Sequence, residues 1–134
     1  MKKKTMKKKI VIADDNANIR LLLHEFLRHE YDVYTFEDGK GIVSWLKIGN
    51  LPDLIISDIK MPHIDGHKLI EYLKDNVFYM NIPILVLSGI EKTEEKIKFL
   101  QKGADDYIIK PFNPLELQLR IKNIFKHMNH ENIN

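Results

Sequence analysis

Leu54-Ile55-Ile56-Ser57-Asp58-Ile59-Lys60-Met61-Pro62 decides the fold. Residues suited to a fully buried strand run into a carboxylate and then into a proline that stops regular structure. An apolar run this short, bounded by Pro52 and Pro62, reads as the central strand of a parallel sheet rather than as a helix. Asp58 then stands at the carboxyl end of that strand, where open α/β sheets place their ligands. A lone acid there often does no more than cap the next loop. This one has company: Asp14-Asp15 ends an earlier apolar run, Ser88 ends a later one, and Lys110-Pro111 ends the last.

Outward from that strand the chain alternates two periodicities. Lys9–Ala13 is a strand with Ile10, Val11 and Ile12 buried. The next helix carries Ile19, Leu22, Leu23, Phe26 and Leu27 on one stripe, with Arg20, His24, Glu25 and Arg28 outside it. Tyr31–Phe36 alternates like a strand nearer the sheet edge. A helix over about 40–48 ends at Gly49-Asn50, and a third over about 66–76 buries Leu69, Tyr72 and Leu73. Ile84–Leu87 is another continuous apolar strand. The helix over 91–102 has acids early and Lys102 late, as its dipole prefers, and Gly103 stops it. Asp106–Lys110 is the fifth strand. Asn113-Pro114-Leu115-Glu116 opens the last helix with an N-cap, a proline and a capping-box acid, ahead of a stripe of Leu117, Ile121, Ile124 and Met128. The aromatics follow these stripes, with Phe99 and Tyr107 as the exceptions; Trp45 is read as packing. Five strands alternating with five helices predict a doubly wound parallel sheet, flavodoxin-like, in the order 2-1-3-4-5.

With 134 residues, 44% of them hydrophobic and 30% charged, the chain is one soluble domain with one sizeable core. The absence of cysteine excludes disulfides and thiolate chemistry. No apolar run reaches the roughly 20 residues of a membrane helix, and the apolar residues after the basic start are too few for a signal peptide, so the expected location is the cytoplasm. The net charge of +2 owes its sign to the six lysines ahead of Ile10; the body that follows is acidic. Residues 1–8 are read as a disordered basic leader, 9–128 as the domain and 129–134 as a frayed tail. No aromatics interleave with the lysines, so a solvated leader is preferred to nucleic-acid contact.

In the predicted strand order the carboxyl ends of strands one, three, four and five meet in one cleft. Three carboxylates there repel one another unless a cation lies between them. An all-oxygen set suits Mg²⁺, which takes one or two carboxylates and keeps several waters, often beside a phosphate. Lys110 is placed to neutralise a phosphoryl group and the Ser88 hydroxyl to donate to it, leaving Asp58 as the nucleophile that becomes an aspartyl-phosphate.

The acidic pair Asp14-Asp15, Asp58 followed by Met61-Pro62 and Asp65-Gly66, then Ser88, and Gly103-Ala104-Asp105-Asp106-Tyr107 leading into Lys110-Pro111-Phe112 closely resemble the receiver domain of two-component response regulators, over 9–127. That resemblance implies a CheY-like module that takes a phosphoryl group from a sensor histidine kinase on Asp58. It implies Mg²⁺ held by Asp15, Asp58 and the backbone carbonyl of Lys60, with Asp14 acting partly through water. It also implies a switch in which Ser88 and Tyr107 reorient together, and catalysis limited to the domain's own phosphorylation and dephosphorylation. Ser88 stands where the family also uses Thr. Lys60 and Ile90 occupy the variable positions flanking the acceptor, and Gly89 leaves the backbone beside Ser88 looser.

The pattern is closest to receivers of the winged-helix (OmpR/PhoB-like) subfamily. The resemblance there implies a homodimer through the fourth helix, fifth strand and last helix. Lys96 would pair with Glu116 and Asp106 with Arg120 across the two-fold, around Ile97 and Leu100. Gln101 and Gln118 depart from that subfamily's pattern and weaken the dimer. No output domain is expected after Met128, so the chain is a stand-alone receiver or part of a longer regulator, without direct nucleic-acid contact by this domain. Two other classes compete. A Mg²⁺-dependent phosphohydrolase with an Asp nucleophile usually carries Asp-x-Asp on its first strand, whereas this chain has Asp14-Asp15-Asn16. A nucleotide or flavin binder lacks here its Gly-rich phosphate loop. His63 and His67 have the spacing of a helical metal pair, but Asp65-Gly66 interrupts the helix, and two solvated loop histidines are the expectation.

Overall fold

The computed structural model describes residues 6–133, with backbone alone for 129–133. Five strands, β1 Lys9–Ala13, β2 Asp32–Phe36, β3 Leu54–Ser57, β4 Ile84–Ser88 and β5 Asp106–Ile109, form one parallel sheet in the order β2-β1-β3-β4-β5. They alternate with α1 Ala17–Leu27, α2 Gly39–Lys47, α3 Gly66–Lys74, α4 Thr93–Gln101 and α5 Pro114–Ile133. The expected fold and strand order are those observed. The basic start from Met1 to Thr5 lies outside the described residues, while Lys7 Nζ donates to the Arg28 carbonyl at 3.1 Å and Lys8 sits 5.2 Å over the Phe125 ring. The final helix runs to Ile133.

Helices cover both faces of the sheet, so β1, β3 and β4 bury side chains in both directions and read as unbroken apolar runs. Val11, Ile55 and Val86 point toward α2, α3 and α4. Ile10, Ile12, Leu54, Ile56, Leu85 and Leu87 point toward α1 and α5. The α1 stripe is narrower than its spacing suggested: Leu23 and Leu27 are buried, Ile19 and Phe26 partly so, and Leu22 is 51% exposed. Phe99 and Tyr107, set apart in the sequence as exceptions, are core residues at 0% and 3% exposure.

The caps fix what the strand-end acids are free to do. Asn16 caps α1, its Oδ1 accepting from the amides of Asn18 at 2.9 Å and Ile19 at 3.1 Å. Asp14 and Asp15 are thereby released from the commonest role of an acid before a helix. Asp65 caps α3 through the Lys68 amide at 2.9 Å. Gly66 is required there, because a Cβ would lie 2.7 Å from the Asp58 carbonyl oxygen. This close approach holds the loop after β3 against the start of α3. At the other end of the chemistry-bearing half, Gly103 closes α4 with φ +111°.

Candidate functional site

Register brings the four strand ends level: Ala13 lies beside Ser57, Ser57 beside Val86, and Ser88 beside Ile109. Backbone bonds continue just past the strands, from Asp58 N to the Ala13 carbonyl at 2.9 Å and from Lys110 N to the Ser88 carbonyl at 2.7 Å. Side chains leaving these positions therefore share one mouth. Lys110 Nζ donates to Asp14 Oδ2 at 2.7 Å and to Asp58 Oδ2 at 3.0 Å. Carboxylate oxygens of Asp14, Asp15 and Asp58 all lie within 4.8 Å of one another. Asp14 is only 1% exposed; its second oxygen accepts from the Asn16 amide at 2.9 Å, and its carbonyl from Arg20 at 2.8 Å. Asp15 is exposed and Asp58 half-buried.

The charges do not balance. Burial pushes the Asp58 carboxyl above its usual range; the bond and charge of Lys110 oppose that shift, and nearby Asp14 reinforces it. Burial alone would lower Lys110, but hydrogen bonds and charges from Asp14 and Asp58 outweigh it and hold the ammonium above its usual value. The two results agree physically: Lys110 has two acids to itself, while Asp58 has one shared cation and a like-charged neighbour. Three acids facing one lysine leave room for a further cation. The set is all carboxylate oxygen, without sulfur or imidazole, and it opens to water through Asp15. It fits Mg²⁺, with Asp14, Asp15 and Asp58 as the side chains that would hold the ion.

Above the acids, Ser88 is buried and its Oγ accepts from the Ile90 amide at 3.0 Å. The Tyr107 ring is already inside, its hydroxyl donating to the Ile90 carbonyl at 2.9 Å; burial raises its ionisation above the usual value. The backbone of Ile90 thus touches both residues. Beside it a groove of about 770 Å³ is lined by Asp15, Lys60, Met61, Asp65, Lys92 and Glu95, among others.

Other expected residues fall elsewhere. Asp106, Glu116 and Arg120 come together, but within one chain: the Arg120 guanidinium donates to both Asp106 oxygens at 3.0 Å and to Glu116 at 3.1 Å. Glu116 therefore turns to Arg120 and not to its own cap. Ile97 and Leu100 are exposed at 47% and 40%, as is Lys96. Trp45 packs on Tyr34 and Phe36 with ring centroids 5.1 and 6.4 Å away. His67 corrects the sequence reading. It lies in the first turn of α3, stacked on Phe99 and bonded to Glu95, because Asp65 starts the helix just before it. Its partners Glu95 and Lys102 stand seven apart with opposite charges, a two-turn spacing that was the available clue.

Residues 10–122 match the response regulator receiver domain family. The chain belongs to that family. It is 37% identical over 118 residues to the regulatory protein VanRc of Enterococcus gallinarum, covering 87% of this chain and 49% of that one. It is 36% identical over 122 residues to the alkaline phosphatase synthesis transcriptional regulatory protein PhoP of Bacillus subtilis, covering 90% and 50%. Among solved structures, the receiver domain of a signal transduction histidine kinase from Syntrophus aciditrophicus superposes with a TM-score of 0.82 at 30% identity, covering 90% of this chain and 91% of that one. The chain thus spans about half the length of the curated regulators it matches. It is a receiver domain of phosphorelay signalling, in the CheY-like fold, and the phosphohydrolase alternative is not favoured. Among the described residues, no helix is long and apolar enough to cross a membrane.

Proposed function

We propose that Asp58 is the phosphoacceptor, and that the donor is a phosphohistidine of a sensor kinase. The observation that carries this is the Lys110 ammonium bridging Asp14 and Asp58 at the level ends of β1 and β3. A carboxylate oxygen of Asp58 bonds to phosphorus as the bond from phosphorus to the donor's imidazole nitrogen breaks; the imidazole leaves with a proton from water. Lys110 then exchanges its bond to Asp58 for one to a phosphoryl oxygen, and the Ser88 hydroxyl donates to another. Asp14, Asp15, Asp58 and the Lys60 carbonyl would hold Mg²⁺, which would supply positive charge opposite the charge that accumulates. To donate to the phosphoryl group the Ser88 hydroxyl has to swing toward the acceptor, and because its oxygen accepts from the Ile90 amide this pulls on the loop whose Ile90 backbone it shares with Tyr107. That shared residue is the basis for reading Ser88 and Tyr107 as the switch.

The output face is α4, β5 and α5, and its occupant on activation is a second copy of the chain. Asp106 and Arg120 already pair within one molecule, so dimerisation trades internal bonds for crossed ones and stays weak. Sedimentation with a phosphoryl mimic tests this: the parent self-associates, and Arg120→Glu does not. The acceptor is tested by incubation with Mg²⁺ and a small phosphodonor. One phosphoryl group is incorporated, Asp58→Asn incorporates none, and an aryl phosphate is not turned over repeatedly. Undiminished labelling of Asp58→Asn overturns the assignment.

A further inference from the structure

His67 stands at the centre of a polar chain between two helices. Its Nε2 is 2.6 Å from Glu95 Oε1, its Nδ1 is 3.2 Å from Lys102 Nζ, and that ammonium is 3.0 Å from Glu71 Oε1. The ring stacks on Phe99 at 4.2 Å between centroids. An ammonium only donates, so Nδ1 accepts from Lys102 and the ring proton lies on Nε2, directed at Glu95. The neutral tautomer is fixed by its two neighbours. Through it α3 holds both the first turn of α4, at Glu95, and the residue that ends it, Lys102.

Helix α4 has little else to hold it. Phe99 is its one buried residue, and its N-cap, Lys92, makes no side-chain capping bond. Its first turn follows the loop that carries Ile90, the residue bonded by both Ser88 and Tyr107. A tie at Glu95 therefore restrains the segment that the phosphoryl group has to move.

We infer that His67 is a positioning residue that sets how readily the acceptor site switches, and that it does so in a pH-dependent way. Protonation places a proton on Nδ1 that faces the Lys102 ammonium, and that bond is lost; Lys102 keeps Glu71. The bond to Glu95, already assisted by the carboxylate's charge, becomes an ion pair between side chains 27% and 21% exposed, which adds Coulomb attraction between unlike charges. The remaining charges around the groove, Asp15, Asp65, Lys60 and Lys92, are of both signs, and β5 sets the Tyr107 ring against Phe99. The pull thus moves to the amino end of α4 in acid, and activation becomes harder as pH falls. This rests on the reading of Asp58 as acceptor and of the Ile90 loop as its switch.

The test uses Mg²⁺ with beryllofluoride, a tetrahedral phosphoryl mimic, titrated from about pH 8 to about pH 5.5, across the range in which histidine titrates. His67→Gln is the key variant, because an amide donates to Glu95 and accepts from Lys102 without titrating. The ratio of parent to variant removes the pH dependence of Asp58 and of the mimic, which both proteins share. Mimic affinity of the parent falls about fivefold further than that of His67→Gln toward acid. By reciprocity the His67 midpoint, followed by the NMR signal of its ring, moves down when the mimic binds. Glu95→Gln, which removes the ion pair, flattens the profile as His67→Gln does. A parent and a His67→Gln protein with the same profile, or a His67 midpoint unmoved by the mimic, overturns the inference alone. A parent that takes up no mimic at any pH overturns the acceptor reading as well.

Discussion

The acidic cleft and helix α4 lie side by side and are held by different means. In the cleft, Asp14 is bonded at both carboxylate oxygens and at its carbonyl, Asp58 accepts from Lys110 and from the Ile59 amide, and the elements beneath are buried strands. In α4 a single phenylalanine is buried, the cap is missing, and the ties to α3 are side chains at the edge of solvent. Phosphoryl chemistry needs groups already in position, because catalysis by placement fails if the placement wanders. A readout needs an element whose position costs little to change. On the function proposed above, the receiver puts one beside the other and joins them through the backbone of Ile90.

If α4 hangs on Phe99, removing that ring is the largest single blow to it. Phe99→Ala is expected to cost about 3–4 kcal/mol in urea unfolding. Native-state hydrogen exchange should then show the amides of α4 losing protection well before those of β3. Equal loss across both elements would mean that the helix is not separately held. On the other side of the comparison, the three acids of the cleft form an all-oxygen set that fits Mg²⁺. Mg²⁺ at a hundredfold excess over its dissociation constant should add about 2.7 kcal/mol, read as a rise in melting temperature. Asp15→Asn is expected to abolish most of that rise while leaving the apo protein close to unchanged, since Asp15 is exposed.

The contrast was half legible in the sequence. Acids and a lysine at the ends of short apolar runs announce themselves, because strand, carboxylate and turn follow one another within a few residues, as in Leu54–Pro62. The α3–α4 ties were not legible, since they join His67 to Glu95 and Lys102 across 28 and 35 residues and depend on where two helices pass. Asp65-Gly66 was read as a break; in the fold Asp65 is the cap that begins α3 and Gly66 its first residue. Leu22 shows the reverse error: periodicity places it on a stripe, but it lies at that stripe's edge and is 51% exposed, while Leu23 and Leu27 are buried. Within one molecule Arg120 pairs with Asp106, and spacing alone does not distinguish that bond from one that crosses to a second copy.

A carboxylate buried at the mouth of the sheet should carry a stability cost. The Asp58 carboxyl is held above its unfolded value, chiefly by burial. A raised acid contributes stability that is fully present below its unfolded pKa and is lost as pH rises through its folded one. At neutral pH the ionised group is therefore a net burden, and Asp58→Asn should stabilise the apo protein by about 1 kcal/mol. The gain should vanish in acid, where the parent carboxyl is protonated too. A variant less stable than the parent at neutral pH would show that the Lys110 bond outweighs burial.

The smallest expected effect addresses the missing cap. Lys92 has the extended N-cap conformation, φ −64° and ψ 124°, and its carbonyl accepts from the amides of Glu95 and Lys96 at 3.1 and 3.2 Å, but its side chain has nothing to accept with. A lysine there also sets a positive charge against the positive end of the helix dipole. Lys92→Ser supplies an acceptor for the first-turn amides and removes that charge. An aspartate would cap as well, but it would crowd Glu91, Glu94 and Glu95, so serine isolates the capping effect. The gain should be about 0.5 kcal/mol, at the low end for caps because this turn is exposed. Its value lies in where it appears. Exchange of the Glu94 and Glu95 amides should slow severalfold while β3 is unaffected, and affinity for a phosphoryl mimic should fall slightly, because a firmer α4 is costlier to move. If the helix gains protection and mimic affinity is unchanged or rises, the looseness of α4 plays no part in activation, and its missing cap is incidental to the switch.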